Sequence, residues 1–269
     1  MNTKEILKSL NIYLYIGIPC YGGKVFSNFT HSLLQLKDTL HQLDVKHEVH
    51  FLANESLITR GRNGIVGQFM KDKKFSHLLF LDADIIFSPN TIIRLLLINK
   101  ELSGACYPKK KINWDKVRKH LDTHKGDDLL PHITDMNFNP KIYKTDDGRA
   151  YCNETQGFIE VKDLPTGCML INKSLFYALQ YKYPEQWYHN NVAGYGKGRL
   201  YNWFHVEVQD GIYLSEDYYF SRLVKTIGAQ PWMDTMSVLG HTGSLDYYGA
   251  VKYYLDGDSL NEDLNKCFK

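Results

Sequence analysis

Five side chains raise the question of chemistry: Asp82 and Asp84 in "HLLFLDADIIF" (77–87), Glu216 and Asp217 in "SEDYYF", and His241 in "LGHTG". Asp82 and Asp84 interrupt an apolar run of Leu78, Leu79, Phe80, Leu81, Ile85 and Ile86. An unpaired carboxylate is expensive to bury, so something must compensate it. In extended backbone, residues i and i+2 point to the same side, so the two carboxylates converge where the strand ends. Two carboxylates brought together share either a proton or a cation. A hard divalent cation is the economical solution, with a phosphate-bearing substrate filling its remaining positions. The plainer alternative has Asp84 capping the next helix and Asp82 in a solvated loop. Glu216 and Asp217 precede the stripe Tyr218, Tyr219, Leu223, where the helix dipole favours carboxylates, so ordinary capping explains them equally well. His241 is either a hydrogen-bonded structural residue or a nitrogen ligand. In the second case it makes a mixed oxygen–nitrogen site that suits manganese better than calcium.

The elements that must position these groups are legible as alternating patterns. "IYLYIGIP" (12–19) reads as a buried strand stopped by Pro19 and the Gly22-Gly23 turn. A helix follows, with Phe29, Leu33, Leu36, Leu40 and Leu43 at helical spacing and Ser27 or Asn28 as its cap. "KHEVHFLA" is a second strand, and "TRGRNGIVGQFMKD" a second helix with Ile65, Val66, Phe69 and Met70 on one face. "HLLFLDAD" is a third strand, "SPNTIIRLLLIN" a third helix opened by Ser88 and Pro89, and "ELSGACYP" a fourth strand. This alternation predicts an α/β fold with a mostly parallel central sheet and helices on both faces. Open sheets of this kind bind ligands at the carboxyl ends of their strands, which is where the aspartates fall. Residues 109–160 are polar and turn-rich and read as an irregular excursion. "FIEVKDLPTGCMLINKSLFYAL" reads as strand then helix, "LSEDYYFSRLVKTIG" as a helix, "SVLGHTG" as a last strand, and 255–269 as a tail.

Bulk properties exclude several classes. The chain has 269 residues, 43% hydrophobic, enough for a substantial core in one domain. Its 32 basic and 30 acidic residues leave a formal charge of +2, which predicts no nucleic-acid partner. The five cysteines (Cys20, Cys106, Cys152, Cys168, Cys267) are scattered without a CxxC, which argues against structural zinc or a disulfide framework. No secretory signal and no run of roughly 20 apolar residues is visible, so the expectation is a cytoplasmic protein without a membrane span. The sequons at Asn28, Asn54, Asn153 and Asn172 are then read as chance.

In order along the chain, "IGIPCYGG", "ANESLITRGRN", "FLDADI", "GACYPKK", "LPTGCMLI", "SEDYYF" and "LGHTG" resemble the GT-A class of nucleotide-sugar glycosyltransferases. The resemblance runs most towards the small virus-encoded enzymes of large algal (chlorella) viruses, and it covers nearly all of 1–269 except 112–160 and 184–210. It implies the nucleotide-diphospho-sugar transferase fold and a viral protein of the host cytoplasm. It also implies transfer of a sugar from a UDP-sugar donor to a carbohydrate or glycoprotein acceptor. In such enzymes the DxD motif and a later histidine hold Mn²⁺ or Mg²⁺ on the diphosphate. Carried over, the metal set is Asp82, Asp84 and His241, with Asp84 and His241 the direct ligands and Asp82 on the ribose or on the metal through water. Ile18, Pro19, Cys20 and Tyr21 would pack on base and ribose, although an ordinary tight turn reads the same way. Asn54 and Glu55 would offer polar atoms to the base, and Arg60, Arg62 and Asn63 would grip the nucleotide, unless they form a solvated basic turn. Asp82 and Ala83 would contact the donor, Lys109 and Lys110 the phosphates, and Trp114 would stack on a sugar. Thr166 and Gly167 stand where the class touches donor or acceptor. Asp217, with Glu216 beside it, falls at the acidic position that deprotonates the acceptor in inverting members.

A second enzyme class fits "FLDADII" in part. Haloacid-dehalogenase-type phosphatases use D-x-D-x-T/V with the first Asp as nucleophile, here Asp82, and "GDD" at 126–128 mimics their later acidic motif. Ile86 replaces the usual Thr or Val, and the motif follows three strands and two helices rather than opening the fold. Nucleotide-sugar pyrophosphorylases need a Gly-rich, Arg-containing loop after the first strand, which "IPCYGG" does not supply.

Overall fold

The computed structural model describes residues 2–123, 129, 132–191, 198–249 and 251. The alternating first half folds as its periodicity dictates. Strand β1 (Tyr13–Cys20) leads to helix α2 (Ser27–Gln42), then β2 (Lys46–Ala53), α3 (Ile58–Lys71), β3 (His77–Leu81), β4 (Ile85–Ile86), α4 (Pro89–Ile98) and β5 (Leu102–Ala105). A short helix α1 (Thr3–Ser9) precedes them, closed by a capping box between Asn2 and Glu5. Phe29, Leu33, Leu36 and Leu40 of α2 are buried at the spacing that predicted the helix. Ser88 caps α4 through the Asn90 N–H, Pro89 opens it, and Asn99 ends it in the left-handed conformation.

β3 is buried along its whole length and alternates between two cores. Leu78 and Phe80 enter a cluster with Tyr15, Phe69, Met169, Phe176 and Phe220, whereas Leu79 and Leu81 enter one with Leu14, Ile16, Phe29, Ile92 and Leu170. On the first face α3 lies so close to β1 that a Cβ at Gly17 would sit 2.5 Å from Ile65 Cγ2. Glycine is what lets strand and helix approach.

The sheet is mixed, with most strands running one way. β1 pairs in parallel with both β2 and β3. Next to β3 lies the strand Cys168–Asn172, antiparallel both to β3 and to β5 on its far side. Pro231–Asp234 continues parallel to β5, and Phe158–Asp163 runs antiparallel beyond it. The expectation for 158–179 was one strand and a helix. Two strands precede the helix α6 (Lys173–Lys182) instead, and the second separates β3 from β5. Each flanking strand pair supplies a complete hydrogen-bond ladder and a hydrophobic face, so Met169, Leu170 and Ile171 bury fully there.

Residues 109–160 are less irregular than their composition suggests. β6 (Pro108–Ile112) pairs with β7 (Thr134–Met136), and α5 (Trp114–Thr123) lies between them. A small second sheet is built from β4, Leu239–Thr242 and Asp246–Gly249. In it His241 stands opposite Ile85, one residue from Asp84. Helix α7 (Glu216–Lys225) carries the acidic pair in its first turn and buries Tyr219, Phe220, Leu223 and Val224. Among the described residues no helix is long and apolar enough to cross a membrane. The tail 255–269 and the "GDD" at 126–128 lie outside the described residues.

Candidate active site

The carboxyl end of β3 gathers residues from five parts of the chain. Register places Cys168 beside Leu81, so the next step of the chain brings Gly167 against Asp82. The Asp82 N–H donates to Gly167 O at 3.0 Å, and the Gly167 N–H donates to the Tyr107 hydroxyl at 3.2 Å. A Cβ on Gly167 would fall 2.6 Å from the Tyr107 ring, so only glycine fits this crossing. Thr166 beside it is buried.

Asp82 and Asp84 do not share one partner. Arg62, buried on α3 at 3% exposure, donates from Nη2 to Asp82 Oδ2 at 3.1 Å and from Nε to Glu216 Oε1 at 3.2 Å. Burial opposes a charge on Arg62, but Asp82 and Glu216 outweigh it and raise the guanidinium above its ordinary range. Burial pushes the Asp82 carboxyl up, against the pull of Arg62 and with the push of Asp84. Asp82 Oδ1 and Arg62 Nη1 are buried without a hydrogen-bond partner.

Asp84 faces the other way, into the small sheet. Its carbonyl accepts the Thr242 N–H at 2.8 Å, which fixes the strand that carries His241. Asp84 Oδ2 is 2.6 Å from Lys110 Nζ and 3.5 Å from His241 Nε2. Burial works to raise this carboxyl, but His241 and Lys110 outweigh it and hold it below the usual range. His241 Nδ1 lies 2.8 Å from Pro108 O, a bond in which the ring can only donate. That contact orients the ring and turns Nε2 towards Asp84, as metal-bound histidines are commonly held from behind. The Tyr107 ring packs edge-on against His241 at 5.1 Å and ties the two halves of the site together.

At the start of α7, Asp217 accepts from the Tyr218 N–H at 2.9 Å and from the Ser215 hydroxyl. Burial first, and then the charge of Glu216, push its carboxyl above the ordinary range. The Tyr107 phenol is raised well above its usual value by burial and by the charges of Asp82 and Asp217. The carboxylates of β3 and α7 meet at Arg62, with Tyr107 buried within their electrostatic reach.

Several residues expected to bind substrate are engaged internally. Asp82, Asp84 and His241 do not close on one point: Asp82 bonds Arg62, whereas Asp84 lies beside Lys110 and His241. Among the described residues no group of three or more His, Cys, Asp or Glu side chains is arranged to hold a metal. Arg62 is buried between carboxylates rather than turned to solvent. Asn63 is buried and bonds Asn202 Oδ1 and both the carbonyl and N–H of Phe204, so it clamps two chain segments. Glu55 is buried and held by a bidentate Arg60 fork at 2.6 and 2.7 Å. Ile18 and Cys20 belong to the core, and the Cys20 thiol, pushed up by burial, points to Leu52 O. Pro19 is half-buried, whereas Tyr21 at 75% and Trp114 at 66% are exposed, as are Asn54 and Lys109. Ala83 O accepts the Phe26 N–H at 3.1 Å and joins the motif to the start of α2.

Sequence reasoning missed Tyr107 and the bridging role of Arg62. Arg62 had a signal, since it falls on the same helical stripe as Val66 and Phe69 and so had to be buried with a partner. Tyr107 had none, because its neighbours come from distant strands. On the other flank of α3 a cavity of about 400 Å³ is lined by Thr59, Arg60, Asn63, Trp187, Tyr188 and His205, among others. The His205 ring packs against Tyr219 of α7 at 3.8 Å, the two planes tilted by 40°.

The chain matches no protein-family model and no curated protein sequence. Among solved structures it is similar to A197 from STIV, at 14% identity over 86% of both chains with a TM-score of 0.44. It is also similar to a mutant of Drosophila β-1,4-galactosyltransferase 7 in complex with manganese, UDP-galactose and xylobiose. That match has 13% identity, covers 95% of this chain and 79% of the other, and has a TM-score of 0.37.

Proposed function

We propose that this chain is a metal-dependent glycosyltransferase that moves a sugar from a nucleoside-diphosphate donor, a UDP-sugar, to a carbohydrate or glycoprotein acceptor. The observation that carries the reading is the approach of the His241 imidazole, from the small sheet, to the Asp84 carboxylate after β3, Nε2 to Oδ2 at 3.5 Å. Both are held by backbone contacts, Thr242 N–H on Asp84 O and Pro108 O on His241 Nδ1. Carboxylate oxygen plus imidazole nitrogen is a donor set that fits Mn²⁺ or Mg²⁺ with few protein ligands, the rest coming from diphosphate oxygens and water. The ammonium of Lys110 beside Asp84 Oδ2 marks the same place as one that favours a cation. Bound there, a divalent ion stabilises the charge that collects on the departing nucleoside diphosphate.

The chain's own residues supply the rest. Asp84 and His241 fix the donor end, Arg62 links Asp82 to Glu216 through one guanidinium, and the Gly167–Tyr107 contact shapes the floor. Asp217 is the proposed base for the acceptor hydroxyl. Its raised carboxyl is better matched to taking a proton near neutral pH than an ordinary aspartate. The cavity beyond α3 is assigned to the acceptor, since its wall carries aromatic and amide side chains and its His205 packs against Tyr219 of α7. The phosphatase reading loses ground because an Asp82 carboxylate tied to a buried guanidinium is a weakened nucleophile.

Screening nucleotide sugars for Mn²⁺-dependent hydrolysis tests the proposal without knowledge of the acceptor. The expected result is slow release of UDP from at least one UDP-sugar, lost in Asp84→Asn. Release of phosphate from simple monoesters without any UDP-sugar turnover would favour the phosphatase class.

A further inference from the structure

We infer that Lys110 is a resident counter-cation that makes divalent-metal binding at Asp84 depend on the arrival of the diphosphate. The inference rests on the metal site proposed above and adds an order of binding to it. Lys110 Nζ and His241 Nε2 address the same atom, Asp84 Oδ2, at 2.6 and 3.5 Å. A divalent ion bonded to that oxygen and to the imidazole would stand at about 2.0–2.2 Å from each. It would therefore lie within a few ångströms of the ammonium, and two cations that close repel strongly in a partly buried site. Lys110 has to leave Asp84 for the metal to bind.

The strand β6 is built for this exchange. It supplies Pro108 O, which fixes His241, and Lys110, which neutralises Asp84, so a single element serves both candidate ligands. The Lys110 stem runs beside Gly243, where a Cβ would stand 3.1 Å from Lys110 Cδ. The absence of a side chain there leaves the flexible stem room to swing. At 37% side-chain exposure the ammonium is accessible to an incoming anion. A diphosphate offers oxygens that replace the lost carboxylate contact with another charge-assisted bond. The anion then draws Lys110 off Asp84 and supplies the metal's remaining ligands in the same event. Binding linkage is reciprocal, so the nucleotide strengthens metal binding by the factor by which metal strengthens nucleotide binding.

Mn²⁺ binding read by electron paramagnetic resonance, with and without UDP, tests this on the full-length protein. Variants are Lys110→Met, Lys110→Gln, Asp84→Asn and, as a control for net charge alone, the exposed neighbour Lys111→Met. The wild type is expected to bind Mn²⁺ weakly alone and at least ~10-fold more tightly with UDP. Lys110→Met and Lys110→Gln should bind Mn²⁺ alone ~10-fold more tightly than the wild type, and the gain from UDP should shrink accordingly. Lys111→Met should behave as wild type. Equal Mn²⁺ affinity in the wild type and both Lys110 variants, with binding still lost in Asp84→Asn, overturns the inference and leaves the proposed metal site standing. Mn²⁺ binding that ignores Asp84→Asn, or is absent even with UDP, overturns the site and the inference together. Tightening in Lys111→Met equal to that in Lys110→Met also overturns it, because the effect would then be one of overall charge.

Discussion

β3 ends in two different kinds of polar chemistry. At its beginning, His77 is 6% exposed and its ring lies between Ser76 Oγ at 2.9 Å and Asn172 Nδ2 at 3.2 Å. Asn172 can only donate from that nitrogen, so Nε2 accepts and Nδ1–H donates to Ser76, and every polar atom of the ring has a neutral partner. Burial holds this histidine down at about 4. Past the other end, Asp82 is ion-paired with Arg62 yet keeps one oxygen without a hydrogen bond, and Asp84 shares one oxygen between an ammonium and an imidazole. The first end is closed to further interaction. The second is incompletely satisfied and meets Arg62, Glu216, Lys110 and His241 from four other chain segments. The same strand therefore anchors the fold at one end and carries the proposed site at the other, where open α/β sheets bind ligands.

Breaking the reactive end at its centre should have the largest effect. Asp84→Ala is expected to abolish Mn²⁺-dependent UDP binding, a loss beyond ~100-fold, with the melting temperature of the free protein little changed. Titration calorimetry reads it, and unchanged affinity would remove Asp84 from the site. Asp217→Asn should lower transfer by ~10²–10⁴-fold while the affinity for UDP and Mn²⁺ persists. Full activity would remove Asp217 from the mechanism.

Arg62→Met tests whether the same end is also structural. It leaves the part-buried Asp82 and Glu216 without their cation, at an expected loss of ~2–4 kcal/mol in urea unfolding. Arg62→Lys should recover only part of this, because a point charge cannot span both carboxylates. A loss below ~1 kcal/mol would mean the network is loosely held.

The closed end responds to acid instead. His77 has a folded value of about 4 against ~6.5 unfolded, so its contribution is fully present above pH ~6.5 and is lost as pH falls towards 4. The stability difference between wild type and His77→Gln should shrink by about 3 kcal/mol between pH 7 and 4. A difference independent of pH would show that this ring is not held neutral by burial. The smallest effect is expected at the cavity: Trp187→Ala should raise the acceptor KM several-fold and leave UDP affinity unchanged. A change in UDP affinity instead would reassign the cavity to the donor.

The aspartate half of this contrast was legible in the sequence, whereas the closed end at His77 was not. The strand–helix alternation through β5 follows local periodicity, and the two-residue spacing of Asp82 and Asp84 placed them at a strand end. The reversed strand Cys168–Asn172 was not legible, because "CMLIN" is equally apolar on an edge or between β3 and β5, and only distant pairing decides. The i, i+2 rule also overreached for the aspartates. The chain leaves β3 after Leu81, so Asp82 and Asp84 lie beyond the strand and turn to different partners. His241 was legible as a candidate ligand, but its place beside Asp84 was not. Its position opposite Ile85 comes from a sheet of three strands scattered along the chain.

The central claim is that Asp84 and His241 seat a divalent ion against a diphosphate. Crystals grown with MnCl₂ and UDP, measured at the manganese absorption edge, test it directly. The account predicts one anomalous peak bonded to Asp84 Oδ2 and His241 Nε2, with diphosphate oxygens completing the shell and Lys110 turned onto the phosphates. UDP bound elsewhere, or bound without an anomalous peak beside these two side chains, would contradict it.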